Sequence, residues 1–211
     1  MIQVKKFTFY PFRENSYVLY DNTKECIVVD PGCFIAHEEE EIAQFIEENE
    51  LQPMQLINTH AHIDHVLGNS FICNKYDIGL YLYDSELPML EMAKRSAQMY
   101  EVPYTPSPEP TGFLNEGDQI TFGESSLNVI FVPGHAPDHI ALLNEEEKIL
   151  IGGDILFQGS IGRTDLPGGN HEQLISGIKE KIFSLNEDIM VYSGHGNETT
   201  IGIEKRTNPF F

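Results

Sequence analysis

Four metal-capable side chains fall within the six residues 60–65 of the run Thr59-His60-Ala61-His62-Ile63-Asp64-His65, directly after the apolar stretch Met54-Gln55-Leu56-Ile57-Asn58. Neutral imidazoles and carboxylates bind divalent ions of the zinc and iron type. His60, His62 and Asp64 alternate, so in extended or turn geometry they would converge, while His65 points another way and could serve a second ion. Three later segments repeat the chemistry just past an apolar run: Val132-Pro133-Gly134-His135, Ile151-Gly152-Gly153-Asp154 and Tyr192-Ser193-Gly194-His195-Gly196. Alone, His135 or His195 reads as a satisfied loop or core histidine and Asp154 as a turn residue. Together they read differently, because ligands carried at the ends of different strands can meet at one sheet edge. His139 either backs the site or lies outside it, and is assigned outside; His37 and His171 are assigned to surface or capping roles.

The elements that must hold these groups follow from periodicity. Residues 2–10 and 15–21 carry β-branched and aromatic residues on either side of a turn, which predicts an antiparallel pair. Cys26-Ile27-Val28-Val29-Asp30 is a short apolar run stopped by Pro31-Gly32, the pattern of a buried strand. Residues 36–50 place Ile42, Phe45 and Ile46 on one helical face among glutamates. A strand is predicted over 54–58, a helix over 66–76, a strand over 79–83 and a helix of mixed character over 84–100. The segment 102–110 holds four prolines, so it is neither helix nor central strand, and is read as a semi-rigid loop over a cleft. Strands follow at 119–122, 127–132, 140–144 and 148–151, then a helix at 171–184 and a last strand at 189–192. Alternating strands and helices in two blocks predict a layered α/β (α+β) fold.

Composition narrows the function. The 211 residues suffice for one substantial core. The formal charge of −20, from 33 acidic against 13 basic residues, disfavours nucleic acid and anionic membrane surfaces as partners. No segment approaches a membrane span, and Met1 to Phe7 does not read as a signal peptide. Cys26, Cys33 and Cys73 form no C-x-x-C pair and coincide with no metal motif, so they are read as structural and the protein as cytoplasmic, in a reducing compartment. Oligomeric state is not encoded in any pattern we recognise.

The order H-x-H-x-D-H, then Gly-His, Gly-Asp and Gly-His, resembles the metallo-β-lactamase superfamily over essentially the whole chain. The resemblance implies a four-layer αββα sandwich, with two mixed sheets, helices outside and metals at one edge. Carried over residue by residue, it implies that His60, His62 and His135 bind one ion and that Asp64, His65 and His195 bind a second. Asp154 would bridge the two, with Asp64 and Asp154 as the catalytic carboxylates. The implied cofactors are two divalent ions, zinc first, with iron and manganese also suited to His and Asp.

Within the superfamily, Asp154 stands where β-lactamases commonly place a Cys or lack a bridging carboxylate, and His62 stands where flavodiiron proteins carry Glu. The segments 159–170 and 200–210 are similar to compact glyoxalase II-like (hydroxyacylglutathione hydrolase-like) enzymes. That likeness implies hydrolysis of a small acyl-thiol or ester, such as S-lactoylglutathione, by a metal-bridging hydroxide, without a Ser or Cys nucleophile. The chain is expected to be a single domain over 1–211 without the C-terminal helical domain that contacts glutathione in full-length glyoxalase II, so glutathione specificity does not follow. Arg163, Lys205 and Arg206 are the candidate cationic contacts to substrate. The same motifs also resemble mononuclear-iron persulfide dioxygenases, which would use the equivalents of His60, His135 and Asp154. A non-enzymatic metal-binding protein is the third reading.

Overall fold

The structure, a computed structural model, describes residues 1–211, with the side chain of Ser85 left aside. The first block supplies β1 (Gln3–Phe9), β2 (Glu14–Tyr20), β3 (Glu25–Val29), α1 (Ala36–Glu48), β4 (Gln52–Ile57), α2 (Ile63–Val66), α3 (Asn69–Tyr76), β5 (Gly79–Tyr83), α4 (Leu87–Met99) and β6 (Gly112–Leu114). The second supplies β7 (Gln119–Phe122), β8 (Ser125–Phe131), β9 (Ile140–Asn144), β10 (Ile149–Gly153), β11 (Leu156–Phe157), β12 (Ser160–Ile161), α5 (His171–Gly177), β13 (Met190–Ser193), β14 (Thr199–Thr200) and α6 (Ile201–Thr207). Two six-stranded sheets result, ordered β1-β2-β3-β4-β5-β6 and β14-β13-β10-β9-β8-β7. Both are mixed: β1-β2-β3 pair antiparallel and β3-β4-β5-β6 parallel, while β7-β8-β9-β10 pair antiparallel and β10-β13 parallel.

The four layers follow from strands that are apolar on both faces. Ile27 and Val29 of β3 face the second sheet, where they join Ile57, Leu127, Leu142 and Ile151. Their neighbours Cys26 and Val28 face outward onto Ile42, Ile46, Ile72 and Leu90 of the covering helices. In the second sheet Ile149 and Ile151 point to the sheet–sheet core, and Leu150 points to Leu174, Ile178 and Ile201. Successive side chains of a strand take opposite faces, so an unbroken apolar run fills two cores at once.

The predicted elements recur with local differences. The single helix expected over 66–76 is broken into α2 and α3 at Gly68, whose N–H donates to the Pro31 carbonyl at 2.7 Å. A Cβ at Gly68 would overlap Cys33 Sγ, so the chain can pack this closely against the β3 loop only with glycine there. The helix expected over 171–184 is α5 continued by a π-helical turn, Ile178–Ile182. The proline-rich loop is irregular as expected, but it does not cover the metal-capable cluster. Pro103, Tyr104 and Thr105 line a separate cavity with Phe34, Leu67 and Phe71, and Ser107 accepts from Asn69 Nδ2 at 3.0 Å. The three cysteines are buried and unpaired. No described helix is long and apolar enough to cross a membrane.

Asp21, at the end of β2, ties the two sheets together. Its carboxylate accepts the Thr23 N–H at 2.9 Å, the Glu124 N–H at 2.8 Å and the Ser125 hydroxyl at 2.9 Å. Burial raises its pKa, but the Thr23, Ser125 and Glu124 hydrogen bonds outweigh that and hold it down at about 2. Asp21→Ala is therefore expected to cost on the order of 2 kcal/mol in denaturant unfolding at neutral pH. A carboxylate with a depressed folded pKa contributes stability above its unfolded pKa and loses it as pH falls toward the folded one. The gap between wild type and variant should shrink as pH falls from about 4 toward 2; a gap independent of pH over that window would contradict this account.

Candidate metal centre

Every metal-capable motif sits just past the C-terminal end of a strand, and those ends lie on one side of the sandwich. β4 delivers Asn58 to His65, β8 delivers His135, β10 delivers Asp154 and β13 delivers His195. The two sheets are stitched together there. The Ile140 N–H donates to Thr59 O at 2.9 Å and Asn15 N–H to Gly194 O at 2.7 Å, while Gly194 N–H to Gly153 O at 2.7 Å ties the ends of β13 and β10 within the second sheet. Gly194 is obligatory, since a Cβ there would overlap Asp154 Oδ1 and the His65 ring.

Three groups of three potential ligand atoms result, each within 4.8 Å of one another: His60, His62 and His135; Asp64, His65 and His195; and a fully buried third, Asp30, His60 and His65, which draws on a histidine of each of the other two. Asp154 lies between the first two. Its Oδ2 is 3.4 Å from His135 Nε2 and 3.5 Å from His195 Nε2, and its Oδ1 is 3.5 Å from His65 Nε2. The convergence of His60, His62 and Asp64 expected from simple alternation does not occur. The chain turns helical at Ile63, which swings Asp64 away to within 3.3 Å of His195 Nε2.

The donor set fits cations. His60 Nε2, His62 Nε2, His65 Nε2 and Asp154 Oδ1 are buried without a hydrogen-bond partner, a costly state that coordination would relieve. The opposite ring nitrogens are anchored: His60 Nδ1 lies 3.1 Å from Thr59 Oγ1 and His65 Nδ1 3.1 Å from Asp30 Oδ2. His135 Nδ1–H donates to the Arg163 carbonyl at 2.8 Å, and His195 Nδ1–H to the Arg13 carbonyl at 3.2 Å. Such bonds fix the tautomer and aim Nε2 inward. His62 differs, with Nδ1 only 2.9 Å from His135 Nε2, so these nitrogens must share a proton or a cation.

The first two groups differ electrostatically. Burial and the surrounding imidazoles push His60 well below its ordinary pKa, and burial with His135 pushes His62 down to about 4. Burial opposes charge on His65 too, but Asp154 and Asp30 overcome it and hold His65 well above the usual range. Burial is likewise outweighed at His195, which Asp154 and Asp64 raise to about 10. Burial would raise Asp154, yet His65 and His195 hold it well below the carboxylate range.

Three site residues escaped the sequence reading. Asp30 accepts the Thr59 N–H at 2.7 Å, the Thr59 hydroxyl at 2.6 Å and His65 Nδ1. It shares the signature of the others, a carboxylate just past an apolar run, and could have been found by it. His139, assigned outside the site, is fully buried and accepts the Asp154 N–H on Nε2 at 2.9 Å while stacking on His60 at 4.5 Å. Burial and His135 keep its pKa low, so the neutral ring can accept. Glu86 is fully buried and accepts the Ala61 N–H at 2.9 Å and the Asp138 N–H at 3.1 Å. It thereby clamps the His60–His62 loop to the His135–His139 loop, and no local pattern marks it.

The cationic candidates separate. Arg163 lines the cavity beside His135 and Asp154, with its guanidinium held by Asp165 at 2.8 and 2.9 Å. Lys205 and Arg206 lie on α6, where Arg206 Nη1 is 2.6 Å from Glu187 and Lys205 Nζ donates to the Phe183 carbonyl. Neither is among the residues that line that cavity. The helix that carries them packs behind the second sheet, not at the strand ends. His37 and His171 are exposed in the first turns of α1 and α5.

A four-layer sandwich with paired His/Asp groups at one edge defines a class of metal-site proteins. A family model described as the metallo-beta-lactamase superfamily matches residues 9–195. The chain belongs to that superfamily. Hydroxyacylglutathione hydrolase GloC of Haemophilus influenzae is 37% identical over 203 residues, covering 94% of this chain and 93% of that protein. Among solved structures, BLEG-1 B3 metallo-beta-lactamase aligns with a TM-score of 0.90 and 35% identity, covering 100% of this chain and 99% of its own. TTHA1623 in a di-iron-bound form aligns at 0.89, also with 35% identity, over 99% and 100% of the two chains. These findings support a metallo-hydrolase whose His and Asp groups are able to bind metal.

Two predictions follow from the electrostatics and the clamp. At neutral pH the His60, His62 and His135 group presents lone pairs, whereas His65 and His195 must lose protons to ligate. Zinc titrated calorimetrically into metal-free protein in buffers of different ionisation enthalpy should show one binding class with little proton release. A second class should release protons and weaken as pH falls below about 10; equal proton release by both would refute this assignment. Replacing Glu86 by Gln puts an amide N–H against a backbone N–H, and should lower metal affinity roughly 10-fold with the fold retained, read by competition with a chelator.

Proposed function

We propose that this chain is a binuclear metallohydrolase that cleaves the acyl bond of a small thioester or ester. The observation that carries the reading is Asp154, buried between the two groups of potential ligands with an oxygen toward each. Two divalent ions held by His60, His62 and His135, and by Asp64, His65 and His195, with Asp154 shared, would supply carbonyl polarisation and a water acidified to near-neutral pKa. The chain's own residues do the rest. Asp30, His139 and the Arg163 carbonyl orient the ligands. Asp64 and Asp154 place the negative charge that would hold the cations.

The site opens on a cavity of about 580 Å³, whose lining includes His62, Asp64, His135, Asp154 and His195, a size that suits a small molecule. Thioester chemistry is favoured by likeness to a relative named hydroxyacylglutathione hydrolase. The three cysteines are buried in the core away from this cavity, so none of them supplies a nucleophile there.

The test combines metal analysis of the purified protein with Asp154→Ala. About two metals per chain and turnover of S-lactoylglutathione or simple acyl thioesters are expected, with a β-lactam as comparator. The variant should lose at least about 100-fold in kcat/KM and bind less metal. A variant with full metal and near-normal turnover would overturn the role of Asp154. One iron per chain with oxygen uptake on a persulfide would replace hydrolysis by a dioxygenase reading.

A further inference from the structure

α4 carries two apolar faces, and only one is needed for folding. Leu90, Ala93 and Ala97 are buried against the first sheet. Met89, Met92, Ser96 and Met99 recur on the adjacent face and line the cavity over the metal centre. Met92 is 40% exposed and Met99 72% exposed, beside Tyr100 at 44%. Phe12 meets Tyr100 edge to face at 5.4 Å and continues the apolar wall. On the opposite side Phe157, Ile161 and Leu166 complete it. The mixed character of this segment in the sequence is thus resolved into a core face and a cavity face.

We propose that the methionine face of α4 is a binding wall for an apolar acyl group, so that the substrate class is thioesters or esters of medium-length apolar acids. This rests on the hydrolase reading above and specifies its substrate. Solvent-facing methionines grouped above a polar site lose apolar area to water unless something covers them. Unbranched thioethers adapt to chains of differing shape, which suits an alkyl or aryl group better than one rigid ligand. The charge pattern points the same way. Glutathione carries two carboxylates, but outside the metal-capable histidines the cavity lining offers Arg163 as its one Lys or Arg side chain among the described residues, and Asp165 already holds that guanidinium in a bidentate pair. With a formal charge of −20, the chain as a whole also repels a polyanionic substrate.

The experiment uses the metal-loaded full chain and a series of acetyl, butyryl, hexanoyl and octanoyl thioesters of one small neutral thiol, with S-lactoylglutathione as comparator. In parallel, calorimetry measures binding of the matching carboxylates from acetate to octanoate. Expected is a rise in kcat/KM on the order of fourfold per added methylene until the cavity is filled, with octanoate binding more tightly than acetate. The double variant Met92→Ser, Met99→Ser should flatten both series, lowering the octanoyl-to-acetyl ratio. Because both side chains are exposed, the variant is expected to fold; circular dichroism checks this, and Met92→Leu, Met99→Leu should restore the ratio. A flat or falling dependence on chain length, or S-lactoylglutathione as the best substrate by far, overturns the proposal. If no thioester is cleaved, the hydrolase reading fails while the carboxylate series still decides the wall: tighter octanoate binding keeps it, equal binding removes it.

Discussion

The structure turns on one buried imidazole held between two buried carboxylates. His65 meets Asp30 through Nδ1 at 3.1 Å and Asp154 through Nε2 at 3.5 Å. Asp30 ends β3 of the first sheet and Asp154 ends β10 of the second, so this line of charge crosses the seam of the sandwich. Two carboxylates taken from water at this depth are costly unless paired, and an unpaired one would be intolerable. The carboxylates on either side hold the pKa of His65 well above its usual range, and His65 in turn helps to hold Asp154 well below the carboxylate range.

A cluster so polar opposes folding, and its stability comes from elsewhere. The strands beneath it are apolar on both faces, filling a central core between the sheets and two outer cores under the helices. Strand ends emerging from such packing are rigid, which makes them good carriers of ligands that must not move. Contacts around the cluster add further restraint. Glu86 binds the backbone of two ligand loops, His139 holds the Asp154 N–H, and Gly194 leaves room for Asp154 Oδ1. None of these ligates; each limits where a ligating atom can go. α4 then adds a wall above the centre that folding alone does not require.

Much of this was legible before any coordinates. The layered α/β class and most elements were evident because apolar runs such as Cys26 to Val29 and Ile149 to Ile151 carry a pattern that only strands buried on both faces satisfy. The resemblance named the sandwich that the structure displays. His60, His62, Asp64, His65, His135, Asp154 and His195 stood out because each follows a strand signal and carries metal-capable chemistry. Less was legible where a long-range contact decides. The break at Gly68 depends on Cys33 and Pro31, the role of His139 on Asp154, and the clamp by Glu86 on two loops 25 and 52 residues away. The charge of Lys205 and Arg206 is visible in the sequence, but their pairing with Glu187 is not.

By itself the sequence determined the layered fold class and the inventory of metal-capable groups, since periodicity and residue chemistry are local properties. Tertiary structure alone decided how that inventory divides. Alternation would have grouped Asp64 with His60 and His62, but one helical turn beginning at Ile63 sends it to His65 and His195. It alone decided which imidazoles stay neutral, because burial and the distance to Asp30, Asp64 and Asp154 set each pKa. It also decided which face of α4 looks onto the metal centre. The physical reason is common to all three. Desolvation and Coulomb interaction act through space and fall off with distance, and only the folded chain specifies those distances.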